Sequence, residues 1–144
     1  MSKLNKCICV ILVIALCMTT TVYASEGKES RSSRFFMSYS AFLSKKSDTT
    51  FEAWFDVVGM SVMEEIGAST IRIQKSADGS NWTTIVTYRK ETSTYLTDRN
   101  TAGHAACVSY IGTPGFYYRA VIVLYAKDSS GFGELTVYTS MLRL

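Results

Sequence analysis

From Phe116 to Lys127 the chain alternates without a slip. Phe116, Tyr118, Ala120, Ile122, Leu124 and Ala126 fall on one face, and Tyr117, Arg119, Val121, Val123 and Tyr125 on the other. A period of two marks a β-strand, whose successive side chains point to opposite sides of a sheet. The first face is wholly apolar or aromatic and must be core. The second mixes arginine with valine and tyrosine, so it is only partly covered. Such a strand cannot bury its apolar face alone; the rest of the chain has to supply a second layer.

Seven segments read as strands: roughly 35–43, 50–59, 69–76, 82–90, 104–111, 116–127 and 133–142. All are apolar, β-branched and aromatic runs broken by turn residues. The third and fourth form the clearest hairpin, with Ile71 and Ile73 inward and Ala77-Asp78-Gly79-Ser80-Asn81 as the turn. Gly79 there tolerates positive φ. Ser61-Val62-Met63-Glu64 has the form of a capping box, and Gly67 follows where a helix would end, so one short helical turn is expected between strands two and three. Strands at regular spacing without a long helical pattern predict an all-β fold: a single antiparallel β-sandwich of about seven strands over residues 35–144.

The first 24 residues read as an address. Lys3 and Lys6 precede an apolar run from Cys7 to Met18, and Val22-Tyr23-Ala24 fits a cleavage site, so residues 1–24 are expected to be a signal peptide. Thr19, Thr20 and Thr21 cut the run short of the roughly 20 apolar residues a membrane anchor needs. Leu16 is too large to precede a lipidated Cys17. Residues 25–34 (SEGKESRSSR) are polar and serine-rich and read as a flexible lead.

Export changes the charge and the cysteine count. The full chain has 15 basic and 12 acidic residues, and losing Lys3 and Lys6 leaves 13 against 12. A balance near zero gives no net footprint for nucleic acid or an anionic membrane. Cys7, Cys9 and Cys17 leave with the signal, so Cys107 stands alone and the domain depends on packing instead of disulfides. Within Ala105-Ala106-Cys107-Val108 it is expected as a buried small apolar residue.

Tyr118 to Ala126, with Gly131 in the next loop, and Phe51-Glu52-Ala53-Trp54 resemble the last hairpin and an early tryptophan-bearing strand of fibronectin type III and immunoglobulin-like sandwiches. Two positions depart from that pattern. Ala120 falls where the corner tyrosine belongs, with Tyr118 one pleat earlier, and alternation puts Trp54 on the face opposite Phe51, Ala53 and Phe55. A second, closer likeness covers nearly all of the mature chain. Ser38-Tyr39-Ser40, Glu65-Ile66-Gly67, Ile73 to Trp82 and Gly115 to Ala120 are similar to a family of small secreted proteins from Gram-positive bacteria, catalogued as a domain of unknown function. That likeness implies export and one β domain, and it carries no functional residues.

Motifs for catalysis or metal binding do not complete themselves. Ser76 to Trp82 is similar to the Asp-box hairpin of sialidase propellers, a folding device, here in one copy with its Asp–Gly spacing one residue short. Asp98 to Gly103 begins like a calcium loop, but Ala102 and Ser109 stand where ligands are required. His104 is the only histidine. No G-x-S-x-G elbow accompanies it, and Cys107, three residues on, points to the other face of a strand. Glu64 and Glu65 are neighbours that cannot flank a glycosidic bond between them. The expectation is a non-enzymatic protein with no cofactor and no metal.

The tyrosines are what is left. Tyr117, Arg119 and Tyr125 share the less apolar face of the sixth segment, and Tyr138 on the last segment can join them. Aromatic rings beside arginine on an exposed sheet suit a partner surface. The sequence therefore points to an exported, non-catalytic module that binds an extracellular protein, glycan or envelope component. A self-associating structural protein of the cell surface is the alternative.

Overall fold

The computed structural model describes residues 34–144; the expected signal peptide, and all of the lead except Arg34, lie outside them. The chain forms two antiparallel sheets packed face to face. Nine strands run in the order β1 (Phe36–Lys45), β2 (Thr50–Met63), β3 (Glu65–Ser76), β4 (Thr83–Arg89), β5 (Thr97–Asp98), β6 (Thr101–Ile111), β7 (Tyr117–Asp128), β8 (Gly131–Tyr138) and β9 (Leu142–Arg143). The seven longer strands correspond to the seven expected segments; the two-residue strands β5 and β9 were not expected. One sheet has the order β1-β2-β6 and the other β4-β3-β7-β8, with β5 on β3 and β9 on β7. In an immunoglobulin constant-type sandwich four strands face three with the fourth strand on the larger sheet's first-strand side. Here β4 pairs with β3, which enlarges the sheet that contains β7.

The core follows the alternation. Tyr118, Ala120, Ile122, Leu124 and Ala126 of β7 are buried against Ile71 and Ile73 of β3 and against Phe51, Ala53, Phe55 and Val57 of β2. Each large side chain so buried stabilises the domain by roughly 1.5–3 kcal/mol. Phe51, Tyr110 and Tyr118 form an aromatic pile with centroids 5.0–6.2 Å apart. Trp54 stays on the outside, as alternation requires: it stacks on Phe42 at 6.4 Å and donates its indole N–H to Glu52 at 2.8 Å. No bulge between Trp54 and its partners turns it inward. Phe51 and Phe55 fill the interior in its stead.

Three sequence expectations are corrected. The first concerns 61–67, which form no helix. β2 runs on to Met63, Glu64 makes a corner between the sheets, and β3 starts at Glu65. The Glu64 amide donates to the Lys127 carbonyl at 2.8 Å, so backbone groups a helix would use are taken by a neighbouring strand. Burial of Met63 and Ile66 on either side of the corner outweighs the capping box. Gly67 is still needed as glycine, with φ 152°, because a Cβ there would lie 2.1 Å from the Leu96 carbonyl oxygen.

The second concerns the corner tyrosine. Tyr118 accepts a 2.7 Å hydrogen bond from the Thr113 amide, five residues upstream, where the chain crosses from β6 to β7. That is the tyrosine-corner bond of immunoglobulin-like domains, made by Tyr118 itself. The third concerns Cys107. Ala106, Val108 and Tyr110 take the inward positions of β6, so Cys107 faces outward opposite Trp54 and is only half-buried. Desolvation, with the Glu52 charge adding, pushes its thiol up, which keeps it protonated and unreactive at neutral pH.

Candidate functional site

The β3–β4 hairpin is held by one carboxylate. Asp78 Oδ1 accepts from the amides of Ser80 (2.9 Å) and Asn81 (2.8 Å) and from Ser76 Oγ, while Oδ2 accepts from the Asn81 side-chain amide at 2.7 Å. Gly79 sits at φ 75° and donates to Ser76 Oγ. The hydrogen bonds from Asn81 and Ser80 hold the Asp78 carboxyl far below its usual range. The folded value is lowered, so this contribution to stability is present above about pH 4 and fades as pH falls toward the folded value. Wild-type protein is therefore expected to lose stability between about pH 5 and pH 2 in a way that Asp78→Asn does not. Thermal unfolding across that range checks it; parallel curves for the two proteins would remove Asp78 from the account.

That turn delivers Trp82 to the outer face of the four-stranded sheet. The Arg119 guanidinium lies 4.4 Å from the Trp82 ring centroid and 5.3 Å from that of Tyr138. Its Nε donates to Gln74 Oε1 at 2.7 Å, and Gln74 Nε2 donates to Thr84 Oγ1 at 3.1 Å. Register explains the assembly, since Gln74 is the β3 partner of Arg119 and Val121 pairs with both Arg72 and Tyr138. Val121 points outward and is yet only 2% exposed, so these neighbours close over it. One row further along, Arg143 lies 5.4 Å over the Tyr117 ring. Cation–π contacts of this kind hold a guanidinium plane in place while its N–H edge stays free to bind.

Of the four residues singled out in the sequence, Tyr117, Arg119 and Tyr138 come together at one end of this face. Tyr125 does not. It is six residues from Arg119 on the same strand, a distance of about 20 Å. Its ring lies under Lys90 Nζ at 3.6 Å and stacks on Phe132 at 5.9 Å. Lys90 is in turn paired with Glu65 at 3.3 Å. Tyr125 therefore belongs to a separate, internally satisfied group. Trp82, Gln74, Arg72, Arg89 and Arg143 were missed. The outward positions of Gln74, Arg72 and Arg89 follow from alternation. That of Trp82 depends on the irregularity of β4 opposite Ile73 and Gln74, and that of Arg143 on the break between β8 and β9. The pairing of β3 with β7 that gathers them was not readable.

The remaining candidates have structural work. His104 Nε2 lies 2.8 Å from the Tyr95 carbonyl and its ring packs near Phe55, on the face opposite Cys107. Glu65 accepts from Lys90 and Thr97, and Glu64 pairs with Lys127 at 3.4 Å. Among the described residues no three His, Cys, Asp or Glu side chains gather as a metal site would need. A cleft of about 430 Å³ beside the hairpin has Phe116 and Ile85 as its apolar walls and Lys75, Asp78 and Asn81 at its rim.

No family model matches the chain, and no curated protein does. Among solved structures it is similar to Spo0M, a sporulation control protein from Bacillus subtilis, at 11% identity and a TM-score of 0.38, over 71% of this chain and 48% of that one. It thus spans about half the length of Spo0M. A second, the structural genomics target SoR45, has 9% identity and a TM-score of 0.41, over 74% of this chain and 81% of that one. Neither likeness bears on function at these scores.

Proposed function

We propose that this protein is an exported, non-catalytic β-sandwich that binds an extracellular protein, glycan or envelope component through the outer face of β4-β3-β7-β8. One observation carries the reading: Arg119 is fixed between Trp82 and Tyr138 and oriented by Gln74, on a surface that no other part of the described chain covers. The arrangement covers Val121, but its cation–π contacts are part-exposed and contribute only about 0.5–1 kcal/mol each to the fold. Residues 1–24 as a cleaved signal, and the likeness to secreted Gram-positive proteins, support the extracellular setting.

Arg119→Ala is expected to reduce retention of the protein on isolated envelopes of the producing cell by roughly 30-fold, the loss typical of an aromatic-flanked arginine anchor. Arg119→Lys should restore little of it, since an ammonium has neither the plane nor the fork. Thermal unfolding of both variants should stay near wild type. Undiminished retention of Arg119→Ala would contradict the reading.

A second reading is self-association. β1 is an edge strand, paired only with β2, and it exposes Met37 (70%), Tyr39 (51%) and Phe42 (49%). A long unprotected edge is a template for pairing with another copy. Concentration-dependent size in sedimentation that Phe42→Lys abolishes would favour it; a monomer at all concentrations would dismiss it.

A further inference from the structure

We infer that the ligand of this face is a linear acidic glycan lying diagonally across the four-stranded sheet. The inference rests on the reading of the face as a binding surface. Four arginines, one from each of four neighbouring strands, stand on it. Arg89 of β4 is level with Thr70 of β3; Arg72 of β3 is level with Val121 of β7; Arg119 follows on β7; and Arg143 of β9 is level with Tyr117. Each step moves one strand across and two residues along. Strand spacing and residue rise make each step about 8 Å between Cα atoms, and the whole line roughly 25 Å.

Val86 and Tyr88, Ile71 and Ile73, Tyr118 and Leu142 pack against the core on alternate positions of the same strands, so all four arginines are directed outward. Among the described residues none of them is ion-paired; the four salt bridges all involve lysines. The acidic residues of this face lie beyond the arginine line at its far end: Glu134, level with Tyr125, accepts from Ser69 at 2.9 Å, and Glu65, level with Lys127, is paired with Lys90. The near-zero balance expected once residues 1–24 are removed therefore conceals a one-signed line on one face.

The surface between the arginines is rich in hydroxyls: Thr70, Thr84, Thr87, Thr136 and Tyr138 occupy the intervening outward positions. A chain carrying both carboxylates and hydroxyls meets a donor at each, with guanidinium forks engaging the carboxylates bidentately. Single-stranded nucleic acid fits less well. It needs open aromatic faces for base stacking, and Arg119 occupies that of Trp82 while Arg143 occupies that of Tyr117.

Polygalacturonate is the probe, with neutral dextran and oligothymidylate as comparisons. Expected are binding of polygalacturonate, none of dextran, and a fall on the order of tenfold or more between low and moderate salt. Affinity should climb with chain length until the chain spans roughly 25 Å and then level off. Arg72→Ala and Arg143→Ala should each weaken binding about tenfold, while Lys45→Ala, which removes equal charge from the three-stranded sheet, should not. Both arginines are surface residues outside the core, and unchanged thermal unfolding of the variants confirms an intact fold. Tighter binding of oligothymidylate, equal binding of dextran, or indifference to Arg72 and Arg143 would each overturn the inference. If polygalacturonate fails while Arg119-dependent retention on envelopes persists, the acidic glycan falls and the binding face stands. If both fail, the binding face falls with it.

Discussion

Tyr118→Ala is expected to destabilise the domain by about 3–5 kcal/mol, the cost of emptying a fully buried aromatic site. Domains of this size hold about 5–15 kcal/mol in total, so the variant should be largely unfolded on modest warming. Two separate losses add up. Tyr118 is only 1% exposed and packs at 5.0 Å on Phe51 and 6.2 Å on Tyr110, so its removal leaves a void in the aromatic pile. It also holds the β6–β7 corner through Thr113, with Gly112 pressed against its ring. Tyr118→Phe separates the two: it keeps the ring and removes the bond to the Thr113 amide, which lies on an exposed residue, for an expected loss of about 0.5–1.5 kcal/mol. Urea unfolding of the two variants checks both values. Equal, small losses would mean that neither the pile nor the corner bond matters.

Gly67→Ala should cost on the order of 3 kcal/mol or more, although it adds a single methyl group to a strand. The added Cβ would meet backbone on the facing segment, at 2.1 Å from the Leu96 oxygen and 2.7 Å from the Thr97 Cα, which no rotamer change can relieve. A φ of 152° is also unfavourable for any side chain. The expected readout is a large drop in the urea midpoint together with faster hydrogen exchange at Ile66 and Gly67, where β5 pairs with β3. Gly131→Ala is the comparison: its Cβ would meet nothing within 4 Å, and it should cost only its backbone strain. Indistinguishable losses at the two sites would show that close approach at Gly67 is not the governing factor.

How much of this the sequence disclosed depends on the range of the interaction. The strict alternation of β7 is local and set its two faces correctly, from Tyr118 to Ala126. The hairpin at Asp78-Gly79 is local too and was legible in its turn chemistry. The corner at Glu64 was misread because a capping box is a local signal, whereas the Lys127 carbonyl that decides the matter lies 63 residues away. Cys107 was misread because an apolar run hides the parity that alternation on β6 imposes. For the site, alternation placed Tyr117, Arg119 and Tyr125 on one face. It could not reveal that Tyr125 is drawn off by Lys90 and Phe132, nor that the pairing of β3 with β7 sets Gln74 and Arg72 beside Arg119.

The chain has two tryptophans, and the fold puts one on each outer face: Trp82 against Arg119 on the four-stranded sheet, and Trp54 against Phe42 on the three-stranded sheet. Their indole N–H signals in a nitrogen–proton correlation spectrum therefore report separately on the two faces during titration with solubilised envelope polymer. The Trp82 signal is predicted to shift in a saturable way while that of Trp54 stays in place. A shift of Trp54 alone, or of neither, would contradict the assignment of the β4-β3-β7-β8 face as the working surface.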